Sequence, residues 1–414
     1  MQSIISLLAG IGILLIGSGL LGTVLALRAG VEGFGEAVIG LVMSAYFVGF
    51  FAGTFVCPPL IRRVGHIRAF AMFAAVASSA VILHALVVNP VMWLLLRVIT
   101  GACLVGLYTV IESWLNAQTP NDRRGQVFAL YMAVTLTALA AGQGLVALND
   151  PAAFTAFGIA AILLSLGLVP IAFTSLAQPQ PVTTPRLGLR FLYENSPAAV
   201  AGAFGSGVVV GAFWGLAPVF AQQVGMGTAG VAAFMSATIL GGAALQLPIG
   251  HLSDRGDRRR VLAWVGLCAA LCALGTAAIV DAGFGWLLAA TFLFGGLAFS
   301  VYPVSVAHLN DHLQPDQVLE GASGLLLVHG VGAAAGPAAG GLLIGLYGPL
   351  SLPFLYAAVL GTLAAFELLR MGRAPAVAEA EQMPFTPMVR TSPEALVMLA
   401  DAAEESQGDS AGKT

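Results

Sequence analysis

The chain is 414 residues long, 58% apolar and only 9% charged, with a mean hydropathy of +0.92. A water-soluble fold needs about a quarter of its residues charged to cover its surface, so a soluble globular protein is excluded. The net charge of -3 offers no cationic surface to neutralise phosphates, which excludes nucleic-acid binding as well.

An α-helix crosses about 30 Å of hydrocarbon in about 20 residues. Twelve runs near that length can be drawn, at 4–27, 37–57, 69–88, 91–115, 126–148, 153–174, 198–223, 229–250, 261–281, 285–308, 321–346 and 351–371. The expected fold is therefore an all-α membrane protein with twelve transmembrane helices. The first run has no charged leader or small-residue cleavage site and is assigned as a membrane span. The 51 glycines suit close helix packing in lipid. Cys57, Cys103, Cys268 and Cys272 lie in apolar runs without ligand spacing to His or Asp, so no disulfide framework, metal site or cofactor is expected.

Basic residues cluster in alternate connections: Arg62, Arg63 and Arg68, then Arg123 and Arg124, then Arg186 and Arg190, then Arg255, Arg258, Arg259 and Arg260, with Arg370, Arg373, Arg390 and Lys413 at the end. Because Arg and Lys stay on the cytoplasmic side during insertion, both termini are expected to be cytoplasmic. Residues 175–197 read as a cytoplasmic linker, opening on the Pro- and Thr-rich stretch 178–185, between two six-helix halves at 1–174 and 198–371. Residues 372–414 read as an acidic, mostly disordered tail, with a short helix expected from Ser392 to Ala403.

The halves repeat each other. At an offset of 194, Gly101 falls on Gly295, Tyr108 on Tyr302, Leu115-Asn116 on Leu309-Asn310 and Gly142 on Gly336; at 192, the loop 62–68 falls on 254–260. Two six-helix repeats imply a pseudo-twofold axis along the membrane normal and a site near the midplane where the halves meet, the geometry of transporters.

Residues 250–262, Gly250-His251-Leu252-Ser253-Asp254-Arg255-Gly256-Asp257-Arg258-Arg259-Arg260-Val261-Leu262, resemble the loop signature of the major facilitator superfamily, G-x-L-x-D-R-x-G-R-R-x-x-L, with Asp257 at its second glycine. The first-half copy, Pro58 to Phe70, keeps Arg63 and Gly65 but has Pro58 for the first glycine and Arg62 for the aspartate. Arg97-Val98-Ile99-Thr100-Gly101 is similar to the R-x-x-Q-G signature of the fourth helix, with Thr100 for glutamine. The stripe Gly332, Gly336, Pro337, Gly340, Gly341 resembles the G-x-x-x-G-P-x-x-G-G signature that family exporters carry on helix five, displaced here to its repeat partner, helix eleven. It is assigned to helix packing. Glu112-Ser113-Trp114-Leu115-Asn116 followed by Arg123-Arg124-Gly125 resembles a poorly characterised bacterial branch of that superfamily. The resemblance covers residues 1 to about 372. It implies a monomeric, multi-pass protein of the bacterial inner membrane that moves a small-molecule substrate by alternating access, with the proton as coupling ion.

Arg97 is the sharpest candidate residue, because a charge at the centre of a transmembrane helix costs about 2.5–3.5 kcal/mol even on the permissive insertion scale. With it, Thr100, Tyr108, Gln143, Trp214, Gln246, Tyr302 and His329 are expected around the substrate or coupling site; a structural arginine bonded to carbonyls and a histidine satisfied by its own helix are the competing readings. A cytoplasmic gate is expected from Arg62, Arg63, Glu112, Arg123, Arg124, Asp254, Arg255 and Arg258 with Asp311, Asp316 and Glu320, pairing across the halves; separate solvated loops are the competing reading. No catalytic constellation and no phosphate-binding loop occurs, so an enzyme or a nucleotide-driven pump is not expected. A non-transporting sensor or scaffold with a transporter fold is the alternative.

Overall fold

The structure is a computed structural model and describes residues 2–120, 123–173, 179, 188–314, 317–372, 377–378, 382–383 and 385–388. Its helices are α1 (Gln2–Val31), α2 (Glu36–Val64), α3 (His66–Leu86), α4 (Pro90–Gln118), α5 (Arg124–Ala147), α6 (Phe154–Leu166), α7 (Leu168–Ala172), α8 (Leu189–Asn195), α9 (Pro197–Gln223), α10 (Thr228–Ser253), α11 (Arg258–Ala278), α12 (Phe284–Ala298), α13 (Val301–Asn310), α14 (Val318–Tyr347) and α15 (Ser351–Met371). No strand occurs among the described residues. Twelve candidate membrane spans result, α6 with α7 forming the sixth and α12 with α13 the tenth. The linker residues 175–178 and 180–187 and the expected helix from Ser392 lie outside the described residues.

Local chemistry sets the helix ends. Asn89 Oδ1 accepts from the backbone N–H groups of Val91 and Met92, with Pro90 in the first helical turn, where no N–H is needed. Ser196 and Pro197 repeat the device at the start of α9. The helices outrun the expected apolar runs: α2 passes through Pro58 and Pro59 to Val64, carrying Arg62 and Arg63 beyond the lipid-facing stretch.

Backbone-to-backbone contacts at glycine hold each half together, and they recur residue for residue. In the first half, a Cβ on Gly101 would strike the Tyr46 carbonyl, one on Gly19 the Leu139 carbonyl, and one on Gly142 the Ile16 carbonyl. In the second half, Gly295 meets the Thr238 carbonyl, Gly211 that of Ala333, and Gly336 that of Val208. Each of these residues lies 192 or 194 positions after its first-half counterpart. Small residues let helices approach until carbonyl meets Cα, the main source of helix association where lipid removes the hydrophobic drive.

The halves meet through α2 against α14, α5 against α10 and α1 against α9. The arginine-rich connections after α2, before α5 and after α10 lie together at one end of the bundle, here the basic end. At the opposite end the halves touch: Gly341 abuts the Glu36 carbonyl and Gly40, a Cβ on Gly40 would strike the Pro337 carbonyl, and Gln223 Nε2 donates to Glu36 Oε1 at 2.9 Å.

Candidate functional site: a cavity between the two halves

From the middle of the bundle toward the basic end the halves separate around a cavity of about 90 Å³. Tyr46, Phe47, Phe50, Phe51 and Thr54 line it from α2, and Ser206, Val210 and Trp214 from α9. Gln246, Phe299, Tyr302 and His329 complete the wall, and Met388 enters from the tail. The wall is mostly aromatic and aliphatic with a few convergent polar groups, the pattern of small-molecule sites. Two hydroxyls on it, Ser206 Oγ and Tyr302 Oη, are buried without a hydrogen-bond partner among the described residues. The His329 and Tyr302 rings lie 4.5 Å apart.

The break in the tenth span is built by Pro303. Proline has no N–H, so the carbonyl four residues earlier, on Phe299, loses its helical donor. Gln246 Nε2 supplies the missing hydrogen at 3.1 Å. The second hydrogen of that amide points to the Met388 carbonyl at 2.9 Å.

A second, smaller recess adjoins the first through Tyr46, Phe47 and Trp214 and holds Arg97 and Thr100. Arg97 is 6% exposed, and its guanidinium carbon lies 4.5 Å from the centre of the Tyr46 ring, with Nη2 at 3.7 Å from Met43 Sδ. Cation and ring face stabilise each other most strongly where both are desolvated. The repeat makes the asymmetry plain. Tyr46 and Arg97 correspond to Thr238 and Thr291, whose hydroxyls bond each other at 2.6 Å, so the same contact is charged in one half and neutral in the other.

Other candidates are placed elsewhere. Gln143 accepts from Thr23 Oγ1 at 2.9 Å and donates to the Gly19 carbonyl at 3.1 Å, fastening α5 to α1 without lining either recess. Tyr108 is buried 6.1 Å from the Phe50 ring, outside the cavity wall. Thr100 Oγ1 bonds the Arg97 carbonyl within its own helix. Gln143→Leu is expected to lose both bonds and lower stability by about 1–3 kcal/mol, read as a depressed thermal midpoint, while leaving ligand binding intact. Loss of binding at unchanged stability would place Gln143 in the site instead.

The stripe on α14 serves two seams: Gly332 and Gly336 meet α9, Gly340 packs on Leu216 and Leu352, and Pro337 and Gly341 meet α2 across the interface. At the basic end, Arg258 is 1% exposed and forms a network within its own half. Its Nε donates to Asp311 Oδ2 at 2.6 Å, and its Nη1 to Asp254 Oδ1 and Ser253 Oγ, each at 2.9 Å. Burial pushes the Asp311 carboxyl above the ordinary range even with Arg258 beside it. Burial also opposes ionisation of Asp257, but hydrogen bonds and charge from Arg259 outweigh it and hold that carboxyl below the usual range.

The first-half copy of the loop builds something else. His66 stands where Arg258 stands and Trp114 where His308 does, and their buried rings lie 5.7 Å apart. Arg62, Arg63 and Arg255 are exposed, Glu320 is half-buried, and Asp316 lies outside the described residues. Among the described residues no ion pair links Arg62 or Arg63 with Asp311 or Glu320. Glu112 is fully buried and accepts from Tyr131 Oη at 2.5 Å, while Arg123 caps and Arg124 begins α5, the helix that carries Tyr131. Sequence reasoning missed the α2 stripe Phe47, Phe50, Phe51, Thr54, whose helical spacing was the available signal, and Ser206, which had none.

Comparison with known proteins agrees with this architecture. The protein of Escherichia coli strain K12 described as an uncharacterized MFS-type transporter, YcaD, is 26% identical over 341 residues, covering 81% of this chain and 87% of its own length. The nucleoside transporter NupG superposes with a TM-score of 0.73 at 15% identity, over 90% of this chain and all of that one. A D-xylose–proton symporter superposes with a TM-score of 0.70 at 13% identity, over 91% of this chain and 98% of that one. The profile of the Major Facilitator Superfamily matches residues 7–279 and again 199–400, and the chain belongs to that family of membrane transporters.

Proposed function

We propose that the protein is a secondary transporter of the bacterial inner membrane, with both termini and the basic end cytoplasmic, that moves a small organic solute by alternating access and couples it to protons. The cavity between the halves carries this reading: it lies on the basic-end side of the bundle, the halves close at the other end, and two hydroxyls on its aromatic wall have no partner among the described residues. A solute with an apolar or aromatic body and a few hydrogen-bonding groups suits that wall, and Arg97 in the adjoining recess favours one bearing a negative charge. Rocking of the halves would open the glycine seam and draw the basic ends together. In that second conformation Arg62 and Arg63 would pair with Asp311, Asp316 and Glu320.

The test is internal pH in proteoliposomes of purified protein challenged with pooled metabolites. A solute-dependent pH change is expected, reduced about tenfold or more by Arg97→Ala, the loss of an interaction worth about 1.4 kcal/mol or more. Folded protein that moves neither protons nor labelled solute in any pool would overturn the reading and favour a sensor.

A further inference from the structure

The tail segment 382–388 lies within the acidic stretch, yet its own residues, Gln382-Met383-Pro384-Phe385-Thr386-Pro387-Met388, carry no charge. Gln382 is held through its side chain, whose Nε2 donates to the Gly256 carbonyl at 2.9 Å, and Met383, Phe385 and Met388 through backbone groups. The Met383 N–H donates to Asp311 Oδ1 at 2.9 Å, and the Met383 carbonyl accepts from Arg258 Nη2. One buried ion pair thus reads both the backbone donor and the backbone acceptor of a single residue. The Phe385 N–H donates to Asp254 Oδ1 at 3.0 Å, and its ring covers Gly250 so closely that a Cβ there would overlap it. Further in, Met388 is 4% exposed, lines the cavity, and gives its carbonyl to the free hydrogen of Gln246.

We propose that the mouth of the cavity is a peptide-binding groove for an extended, uncharged segment, that it is occupied by the chain's own residues 382–383 and 385–388, and that these seated residues plug the basic-end entrance. Three observations carry this. Charged side chains of the bundle hold the backbone of Met383 and Phe385, which is how a groove recognises extended peptide rather than a particular side chain. Besides the Gln382 amide, the Phe385 side chain falls on a seat cleared by Gly250 and the Met388 side chain inside the cavity. With the segment in place the remaining space, about 90 Å³, is far below the about 300–1,000 Å³ of a small-molecule pocket. The plug rests on the transport reading above; the groove does not.

Amide hydrogen exchange on the full chain tests the groove without any substrate. The Met383 and Phe385 amides are expected to exchange about tenfold or more slower than in a free peptide of residues 377–390. Gly250→Leu, which fills the Phe385 seat while improving helix propensity, should restore free-peptide rates and leave the bundle amides unchanged. Free-peptide rates in the unaltered chain, or no effect of Gly250→Leu, would overturn the groove. As a second measurement, protein ending at Gly372 should bind the synthetic peptide, and Phe385→Asp in the peptide should weaken binding about tenfold or more. Equal binding of the peptide by the full chain would overturn occupancy by the tail. Solute-driven pH change should be faster after truncation or in Gly250→Leu; equal rates in working transporters would overturn the plug. Slow exchange and peptide binding in protein that transports nothing would uphold the groove and leave the transport reading to fail by itself.

Discussion

Gly341→Leu is expected to reduce solute transport about tenfold or more while leaving the protein folded. In this conformation the α14 backbone lies against Glu36 and Gly40 of α2, leaving no room for a side chain. Overpacking of that kind costs about 1–3 kcal/mol, which shifts a two-state balance by about one to two orders of magnitude. The penalty applies only while the seam is closed, so the variant escapes it by separating the halves at that end. A cysteine placed at Ser18, on the Arg97 recess, should then react about tenfold faster with a water-soluble maleimide applied from the end away from the basic loops. Gly361→Ala, a position with open space where its Cβ would go, is the control that should change neither quantity. Unchanged labelling and transport in Gly341→Leu would show that the seam does not have to open.

Arg258→Met is expected to destabilise the second half by about 3–5 kcal/mol, because it strands the Asp311 carboxylate, whose side chain is 1% exposed. The double variant Arg258→Met, Asp311→Leu should recover most of that loss in thermal or denaturant unfolding, since an apolar pair leaves no charge behind. The pH dependence has a definite sign. Burial raises the folded value of Asp311 above its unfolded one, so ionising it opposes folding, most strongly above the folded value. The deficit of the single variant should therefore be full at neutral pH and shrink as pH falls and the carboxyl takes up a proton. A deficit independent of pH, or a double variant no better than the single, would show that the arginine acts through packing alone.

The twelve spans were legible because length and hydropathy together leave few other readings, and the repeat was legible because the same glycines are needed wherever two backbones touch. The break in the tenth span was not, since the run 285–308 is apolar throughout, although Pro303 and the carbonyl it orphans were there to be read. Which polar residues face the cavity was only partly legible. Gln143 and Gln246 look alike in sequence, yet helix rotation turns one into a bolt between α1 and α5 and the other into the wall of the cavity. The composition of the tail averages over a local difference: seven acidic residues lie in 372–414, while 382–388 is uncharged and places the Met383 N–H on Asp311, a contact no composition could show.

A seam of glycines also sets how the two conformations respond to temperature. The contact between Gly40 and Gly341 joins peptide groups and Cα carbons, so little hydrocarbon changes its surroundings when it parts. Heat-capacity differences scale with the apolar area exposed, at about 0.45 cal/mol/K per Å², and two glycines have no rotamers to freeze or release. Parting of this glycine contact therefore adds almost nothing to the curvature of the free-energy difference between states. The balance between them should drift gently from cold to warm, where a seam of leucines would swing it.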